Sequence, residues 1–221
     1  NLRPFASGLL GMENVSTSAM LFVLLLLASV TFDGFTATMP WLTIQNSGMD
    51  YISNLSVVST LGLIATILIF VFVYLGFCEL MSFAGKRQIN YLEYGRIFVY
   101  TLIPIALAYH VAHFLLFLLI QGQLIIALAS DPFGFGWDLF GTANYRLNFK
   151  LVSPNVFWFV SVMSIVIGHI IAVFLSHRIA LRVHENHRHA LQSQYPMLVL
   201  MVGYTIASLW IITQPMYMPA M

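Results

Sequence analysis

The stretch that decides the fold runs from Ser56 to Phe83 and reads SVVSTLGLIATILIFVFVYLGFCELMSF. It carries a single charged side chain, Glu79. A hydrocarbon core about 30 Å thick needs roughly 20 apolar residues in an α-helix, because each residue rises ~1.5 Å. The stretch is therefore long enough to cross a bilayer, and it predicts a transmembrane helix.

The chain as a whole has the composition of a membrane protein. Of its 221 residues, 60% are hydrophobic and 8% are charged, and the mean hydropathy is +0.88. Soluble domains average about 25% charged residues, so this composition excludes a soluble globular enzyme. The net charge of +1, without a basic patch, gives no reason to expect a nucleic-acid partner. The single cysteine, Cys78, excludes a disulfide within the chain.

Five apolar stretches predict an all-α fold, a polytopic transmembrane helical bundle of about five spans. No linker divides the chain, so we expect one transmembrane domain over residues 1–221. The third stretch is longer than a span requires, and it should tilt, kink at Pro104 or leave the membrane. The fourth begins at Pro154, a favoured residue for a first helical turn. The predicted spans lie near residues 17–32, 56–83, 96–129, 154–179 and 196–213.

Positive charge is shared unevenly between the two ends of this bundle. We call the end that holds the N-terminus side A and the opposite end side B. Seven of the nine basic residues fall on side A, whereas Arg146 and Lys150 fall on side B. The positive-inside rule then predicts a cytoplasmic N-terminus and an external C-terminus. Four tryptophans lie near span ends on or close to side B, as interfacial anchors do: Trp41, Trp137, Trp158 and Trp210.

Three histidines fall inside the predicted spans, where a titratable ring is costly and needs a partner. His110 and His113 share one side of the third helix. His169 lies in the fourth, next to Gly168, which would let another helix approach closely. Imidazole is a common ligand of copper, iron and haem, so the three residues predict a metal or cofactor site. Alternatively, each ring hydrogen-bonds across a helix interface, with these partners available: Tyr109, Gln121, Gln123 and Ser164.

A second group of histidines lies in the basic segment that follows the fourth span on side A. Histidine-rich tracts can bind metal ions. The alternative, which we favour, is an interfacial segment whose basic residues face anionic headgroups. The group consists of His177, His184, His187 and His189.

An unusual segment on side B runs over residues 130–142 and reads SDPFGFGWDLFGT. Its proline and three glycines forbid a regular helix. Asp131 and Asp138 could bind a cation or contact a substrate, although an Asx turn or helix cap is the simpler explanation. We expect an ordered, partly buried lid. The residues of a possible pocket here are Asp131, Trp137, Asp138, Gln121 and Gln123.

Four strings of the sequence carry a resemblance to a known family. They are TFDGF at residues 31–35, AHF at 112–114 followed by QGQ at 121–123, residues 130–143, and SQYPM at 193–197 with the residues up to 210. Together they resemble the C-terminal half of bacterial polytopic membrane proteins that carry the name fenitrothion hydrolase. The resemblance implies the bacterial cytoplasmic (inner) membrane and a longer protein, whose N-terminal half would precede this chain.

The resemblance also implies cleavage of an organophosphate ester. Hydrolysis needs a metal-activated water, or a nucleophile with a base. The candidates for this chemistry are His110, His113 and Asp131. The chain contains no Walker loop, HExxH, CxxC or GxGxxG motif, so the common soluble-enzyme chemistries find no support in its residues.

Several functions are compatible with these observations. The leading hypothesis is an accessory or structural subunit of a larger bacterial membrane complex, with lipid and other membrane subunits as its partners. It leads because it requires no particular catalytic or ligand-binding residue. The alternatives are a transition-metal or haem site at the intramembrane histidines, the hydrolase that the resemblance implies, and a transporter in which Pro104 and Gly168 interrupt helices around a polar site.

Overall fold

The computed structural model describes residues 8–9, 15–86 and 89–214. Within these ranges 79% of the residues are helical and no strand occurs, which confirms the all-α prediction. The helices are α1 Thr17–Thr36, α2 Met39–Met49, α3 Leu55–Ala84, α4 Tyr91–Phe98, α5 Ile103–Gln121, α6 Leu124–Ser130, α7 Pro154–Val183 and α8 His187–Thr213.

Five helical segments in the described part of the chain are long and apolar enough to cross a membrane. They are α1, α3, the continuous pair α4–α5 over Tyr91–Gln121, α7 and α8. The shorter helices α2 and α6 fall outside this set. The five segments agree with the predicted number of spans, and the chain has the architecture of a multi-pass membrane protein.

Polar side chains fix the starts of the long helices. The Asn54 side chain accepts hydrogen bonds from Ser56 N and Val57 N, and the Ser153 side chain accepts one from Val156 N, directly before Pro154. Such caps satisfy amide groups that have no partner within the helix. The fifth span differs most from its prediction, because α8 begins at His187 behind an Asn186 cap and continues through Pro196.

The α-helical pattern of the third span is interrupted just before Pro104. A 3₁₀ segment, Val99–Leu102, separates α4 from α5, and Pro104 lies in the first turn of α5. Proline has no N–H to donate to the carbonyl one turn earlier, and the tighter 3₁₀ turn accommodates the missing hydrogen bond. The span ends at Gln121 rather than near residue 129, because the chain turns at Gly122 before α6 begins.

The two basic turns meet at the same end of the bundle, side A. The Tyr94 hydroxyl of α4 lies 2.8 Å from His184 Nε2, directly after α7. The same tyrosine also lies beside Gly85, which ends α3. The turn that contains Lys86 and the end of α7 that carries Arg182 are therefore neighbours, as the charge pattern predicts.

Helices α5 and α7 approach each other closely at Gly168. A Cβ atom added to Gly168 would lie 2.5 Å from Ala108 Cβ and 2.8 Å from the Pro104 carbonyl oxygen. Only glycine fits such a contact without displacement of the backbone. The expected role of Gly168 in close helix packing is therefore confirmed.

Replacement of Gly168 by alanine should destabilise the bundle. The new methyl group would overlap α5, at a cost of about 1–3 kcal/mol in the free energy of unfolding. Thermal unfolding in detergent measures the change. Gly76→Ala is the matched control, because a Cβ there meets nothing within 4 Å. Equal stability of the two variants would contradict the close contact.

Candidate functional site

Two of the intramembrane histidines bond to their own helices. His110 Nδ1 lies 2.8 Å from the Ala106 carbonyl oxygen, and His169 Nδ1 lies 2.8 Å from the Ile165 carbonyl oxygen. Each acceptor is one turn before its histidine, so the ring nitrogen shares a carbonyl that already takes part in the helix. Each bond satisfies one ring nitrogen inside the bundle, whereas the second nitrogen of His169, Nε2, is buried without a hydrogen-bond partner.

His113 differs, because it joins two helices. Its Nε2 lies 2.8 Å from Asp33 Oδ2, so that α5 contacts α1 through an imidazole–carboxylate pair. The His113 side chain is 14% exposed and the Asp33 side chain 60% exposed. Because a carboxylate accepts, Nε2–H donates, and the lone pair of the neutral ring belongs to Nδ1.

Aromatic rings surround the inner side of this pair. Tyr109 stacks on His113 with ring centroids 6.1 Å apart and planes at 20°, and Phe114 contacts the same imidazole edge-on at 4.7 Å. The Tyr109 hydroxyl is buried and has no hydrogen-bond partner. A Cβ at Gly34, directly after Asp33, would lie 3.1 Å from that hydroxyl. An unpaired buried hydroxyl is costly, so the region beside the pair is polar and only partly satisfied.

A third helix contributes to the same region through Tyr204 of α8. Thr31 Oγ1 donates to the Leu27 carbonyl at 2.7 Å, so the Tyr204 hydroxyl donates to Thr31 Oγ1 at 3.0 Å. The Tyr204 and Tyr109 rings lie edge to face, 6.1 Å apart. We call Thr31, Asp33, Tyr109, His113 and Tyr204 the Asp–His site.

The expected metal site does not assemble around the three histidines. Each uses a ring nitrogen for a separate partner: His110 and His169 bond to carbonyls of their own helices, and His113 bonds to the Asp33 carboxylate. Within residues 8–9, 15–86 and 89–214, no group of three or more His, Cys, Asp or Glu side chains is placed to hold a metal ion. The geometry therefore gives no support to a copper, iron or haem site built from His110, His113 and His169 together.

The expected pocket residues on side B hold a loop together. Asp131 carboxylate oxygens accept from Phe135 N at 2.9 Å and Gly136 N at 2.7 Å, and Asp138 Oδ1 accepts from Ala143 N at 3.0 Å. The simpler explanation of these aspartates, as turn-forming acceptors, fits these contacts. Positive φ angles at three glycines complete the fold of the loop: Gly134, Gly136 and Gly141.

The glutamines and the tryptophan of that expected pocket also fall outside the Asp–His site. Gln123 Oε1 accepts from Asn148 N at 2.9 Å, which ties the far end of the loop to α6. The Gln121 side chain is exposed at the end of α5. Trp137 packs against Phe135 and is 44% exposed. The expectation of a partly buried lid is wrong, because the aromatic side chains of the loop point outward.

The histidine group on side A forms a buried junction. His184 is 4% exposed, and its Nε2 lies 2.8 Å from the Tyr94 hydroxyl and 3.0 Å from Ser193 Oγ. His177 Nδ1 donates to Gln194 Oε1 at 2.9 Å. These contacts connect α4, α7 and α8, so part of the group packs inside the bundle. His187 is exposed, as the interfacial interpretation expects.

The sequence indicated His113 as a candidate but did not pair it with Asp33. The expected partners of the histidines were Tyr109, two glutamines and a serine, whereas the observed partner lies 80 positions earlier. Tyr109 and His113 are one helical turn apart, and this spacing is the only sequence signal that unites members of the Asp–His site.

The neutral histidine rings should adopt different tautomers. We expect Nε2–H for His113 because Asp33 accepts that proton, and Nδ1–H for His110 because the Ala106 carbonyl accepts there. Nitrogen-15 NMR of histidine-labelled protein near pH 8 distinguishes the two forms. Asp33→Ala should remove the preference of His113 and leave His110 unchanged. An Nδ1–H tautomer of His113 in the unaltered protein would contradict the pair.

Acid should weaken the side-A junction. Burial lowers the pKa of His184 below its usual 6.5, and the neighbouring His189 lowers it further. The unfolded chain therefore takes up this proton more readily than the folded one. The stabilising contribution is complete above about pH 6.5 and is lost as the pH falls through the lower folded-state pKa.

Thermal unfolding in detergent between about pH 7.5 and pH 5 tests this linkage. We expect the unfolding temperature to fall on acidification, and to fall less in His184→Asn. His187→Asn is the control, because this exposed ring should leave the pH dependence as in the unaltered protein. The same slope in both variants would contradict a role for His184.

Comparison of the chain with protein-family models, curated proteins and solved structures finds no match. The functional argument therefore depends on the residues and contacts of the chain itself.

Proposed function

We propose that this protein is a membrane-embedded subunit in which the Asp33–His113 pair accepts and releases a proton. The observation that carries the proposal is the 2.8 Å contact between His113 Nε2 and Asp33 Oδ2 across two spanning helices. Ionisable residues inside membrane spans commonly serve ion and proton pathways, because hydrocarbon makes them expensive to retain otherwise.

The chemistry of the pair suits a proton acceptor. Asp33 holds the Nε2–H, so Nδ1 presents its lone pair to an incoming proton. The carboxylate then stabilises the positive charge that develops on the ring, as a buried acid does for a catalytic histidine. Loss of the proton returns the ring to the same tautomer, so the cycle needs no rotation of the imidazole.

The position of the pair gives it access from side B. His113 precedes the last residue of α5, Gln121, by eight positions, or about 12 Å along the helix. Asp33 lies in the last turn of α1, and more than half of its side chain is exposed. On the inner side, the Tyr109 hydroxyl has no partner and is a candidate for the next step of a proton path.

The basic residues support an orientation for this site. Side A receives most of the lysine and arginine, so side A would be cytoplasmic and the Asp–His site would open outward. The bacterial cytoplasmic membrane follows from the resemblance to the fenitrothion hydrolase proteins. In this arrangement protons would exchange with the external phase.

An accessory role in a larger complex is the second candidate. The observation that favours it is the rigid aromatic surface of the side-B loop, where Phe133, Phe135 and Phe140 are 69–71% exposed. Hydrogen bonds from Asp131 and Gln123 hold this surface in place before any partner arrives. Exposed apolar patches of this kind suit contact with another subunit or with the membrane interface.

Hydrolysis of an organophosphate ester, as the resemblance implies, would use the same pair differently. His113 Nδ1 would remove a proton from a water molecule while that water attacks phosphorus, and Asp33 would stabilise the imidazolium. The imidazolium would then return the proton to the alcohol oxygen as the bond between that oxygen and phosphorus breaks. The expected third participant, Asp131, belongs to the side-B loop and takes no part in the pair.

Proteoliposomes with an enclosed pH-sensitive dye test the proposal. An imposed pH gradient should dissipate faster with the protein than without it, and His113→Gln or Asp33→Asn should lower that rate about tenfold or more. His110→Gln is the matched control, since His110 bonds only within its own helix. The rate in His110→Gln should stay within about twofold of the rate in the unaltered protein.

The outcomes separate the candidates. Equal proton flux in His113→Gln and His110→Gln would overturn the proposed role of the pair. No flux above that of protein-free vesicles would favour the accessory role. Release of alcohol from an organophosphate ester, lost in His113→Gln without any proton flux, would favour the hydrolase.

A further inference from the structure

A cavity of about 390 Å³ lies in the middle of the bundle, between α3 and α8. Its inner wall comes from buried side chains of α1, α3 and α5, including Leu24, Tyr74 and Ile105. Its surface is almost entirely carbon, because the Tyr204 hydroxyl in the wall is already bonded to Thr31. Such a cavity offers water no partners and matches the size of cavities that hold small apolar ligands.

The outer wall of this cavity is open on α8. Gly203 and Ala207, one turn apart, are exposed, and a Cβ added to Gly203 would meet nothing within 4 Å. The flanking side chains Ile69 of α3 and Val199 of α8 are 59% and 61% exposed. The cavity therefore opens sideways, at the depth where lipid chains surround the helices.

The cavity continues toward side A as a groove. A second, more open hollow of about 730 Å³ shares Phe77 and Val199 with the first. It reaches Lys86, Gln192 and Tyr195 at the end of the bundle. From Ala207 to Gln192 the groove follows α8 for about 22 Å, which is enough to pass through one leaflet of a hydrocarbon core about 30 Å thick.

We propose that this groove binds an anionic phospholipid of the side-A leaflet. One acyl chain lies in the carbon-lined cavity, and the headgroup phosphate lies beside Lys86, Gln192 and Tyr195. Three observations define the occupant: an apolar end within the span, a lateral opening to lipid, and a cationic and hydrogen-bonding end at the interface.

The shape also separates a lipid from a protein partner. The cavity lies between α3 and α8, so a partner helix about 10 Å across would have to separate these two helices to enter it, whereas a flexible acyl chain is much thinner. The Lys86 ammonium at the other end favours a negatively charged headgroup over a zwitterionic one. The groove shares Tyr204 with the Asp–His site, but Asp33 and His113 do not line it, and it does not depend on the proposed function of that pair.

Native mass spectrometry of protein purified from mixed phosphatidylglycerol and phosphatidylcholine membranes tests the site. We expect about one phosphatidylglycerol to remain bound after partial delipidation, and Gly203→Leu to reduce its occupancy about fivefold or more because leucine fills the opening. Gly76→Leu is the matched control. It adds the same side chain to an open position of α3 outside the groove, and it should retain the lipid.

The headgroup end has its own variant, Lys86→Gln, which lies outside the helices and leaves the cavity untouched. It should still bind lipid, but the preference for phosphatidylglycerol over phosphatidylcholine should disappear. Two results would overturn the proposal. One is equal lipid retention by Gly203→Leu and Gly76→Leu. The other is an unchanged headgroup preference in Lys86→Gln, which decides the matter even where Gly203→Leu fails to fold.

Discussion

The absence of water around the spans is the constraint on which the structure depends. Each polar group inside the bundle must find its partner within the protein, because hydrocarbon supplies none. Helix formation gives the backbone N–H and C=O groups their hydrogen-bond partners, and capping side chains bond to the amides left over at the helix starts. His110 and His169 each bond to a carbonyl of their own helix through Nδ1. His113 is the exception, since it pairs with a carboxylate on a different helix.

That exception gives the Asp–His site its significance. A histidine that needed only a hydrogen-bond partner could bond to a carbonyl within α5, as His110 does three residues earlier. The pairing instead brings a carboxylate to the imidazole, beside an unsatisfied tyrosine hydroxyl. Arrangements of this kind tie α1 to α5 and also create a group that can change its protonation state. The first effect is structural, and the second is what makes the pair a candidate for function.

Much of the fold follows from the sequence, because long apolar stretches in a chain of low charge have few alternatives. The spans, the 3₁₀ segment before Pro104 and the close packing at Gly168 all depend on local composition or on one residue type. The start of α8 was misplaced, since the cap at Asn186 counts for more than Pro196 ten residues later. The pairing of Asp33 with His113 was also missed. It joins residues distant in sequence, and no spacing rule connects them.

The contact at Gly168 has a mechanical consequence. The backbone of α7 lies there directly against Ala108 and Pro104 of α5, so contact close to the backbone sets the separation of the two helices at that depth. His113 is carried by α5, whereas Asp33 is carried by α1. A change in the distance between the imidazole and the carboxylate therefore requires α1 to shift against the α5–α7 pair. Because Gly34, next to Asp33, packs closely against side chains of α5 and α8, such a shift would also disturb the contacts that α1 makes with both helices.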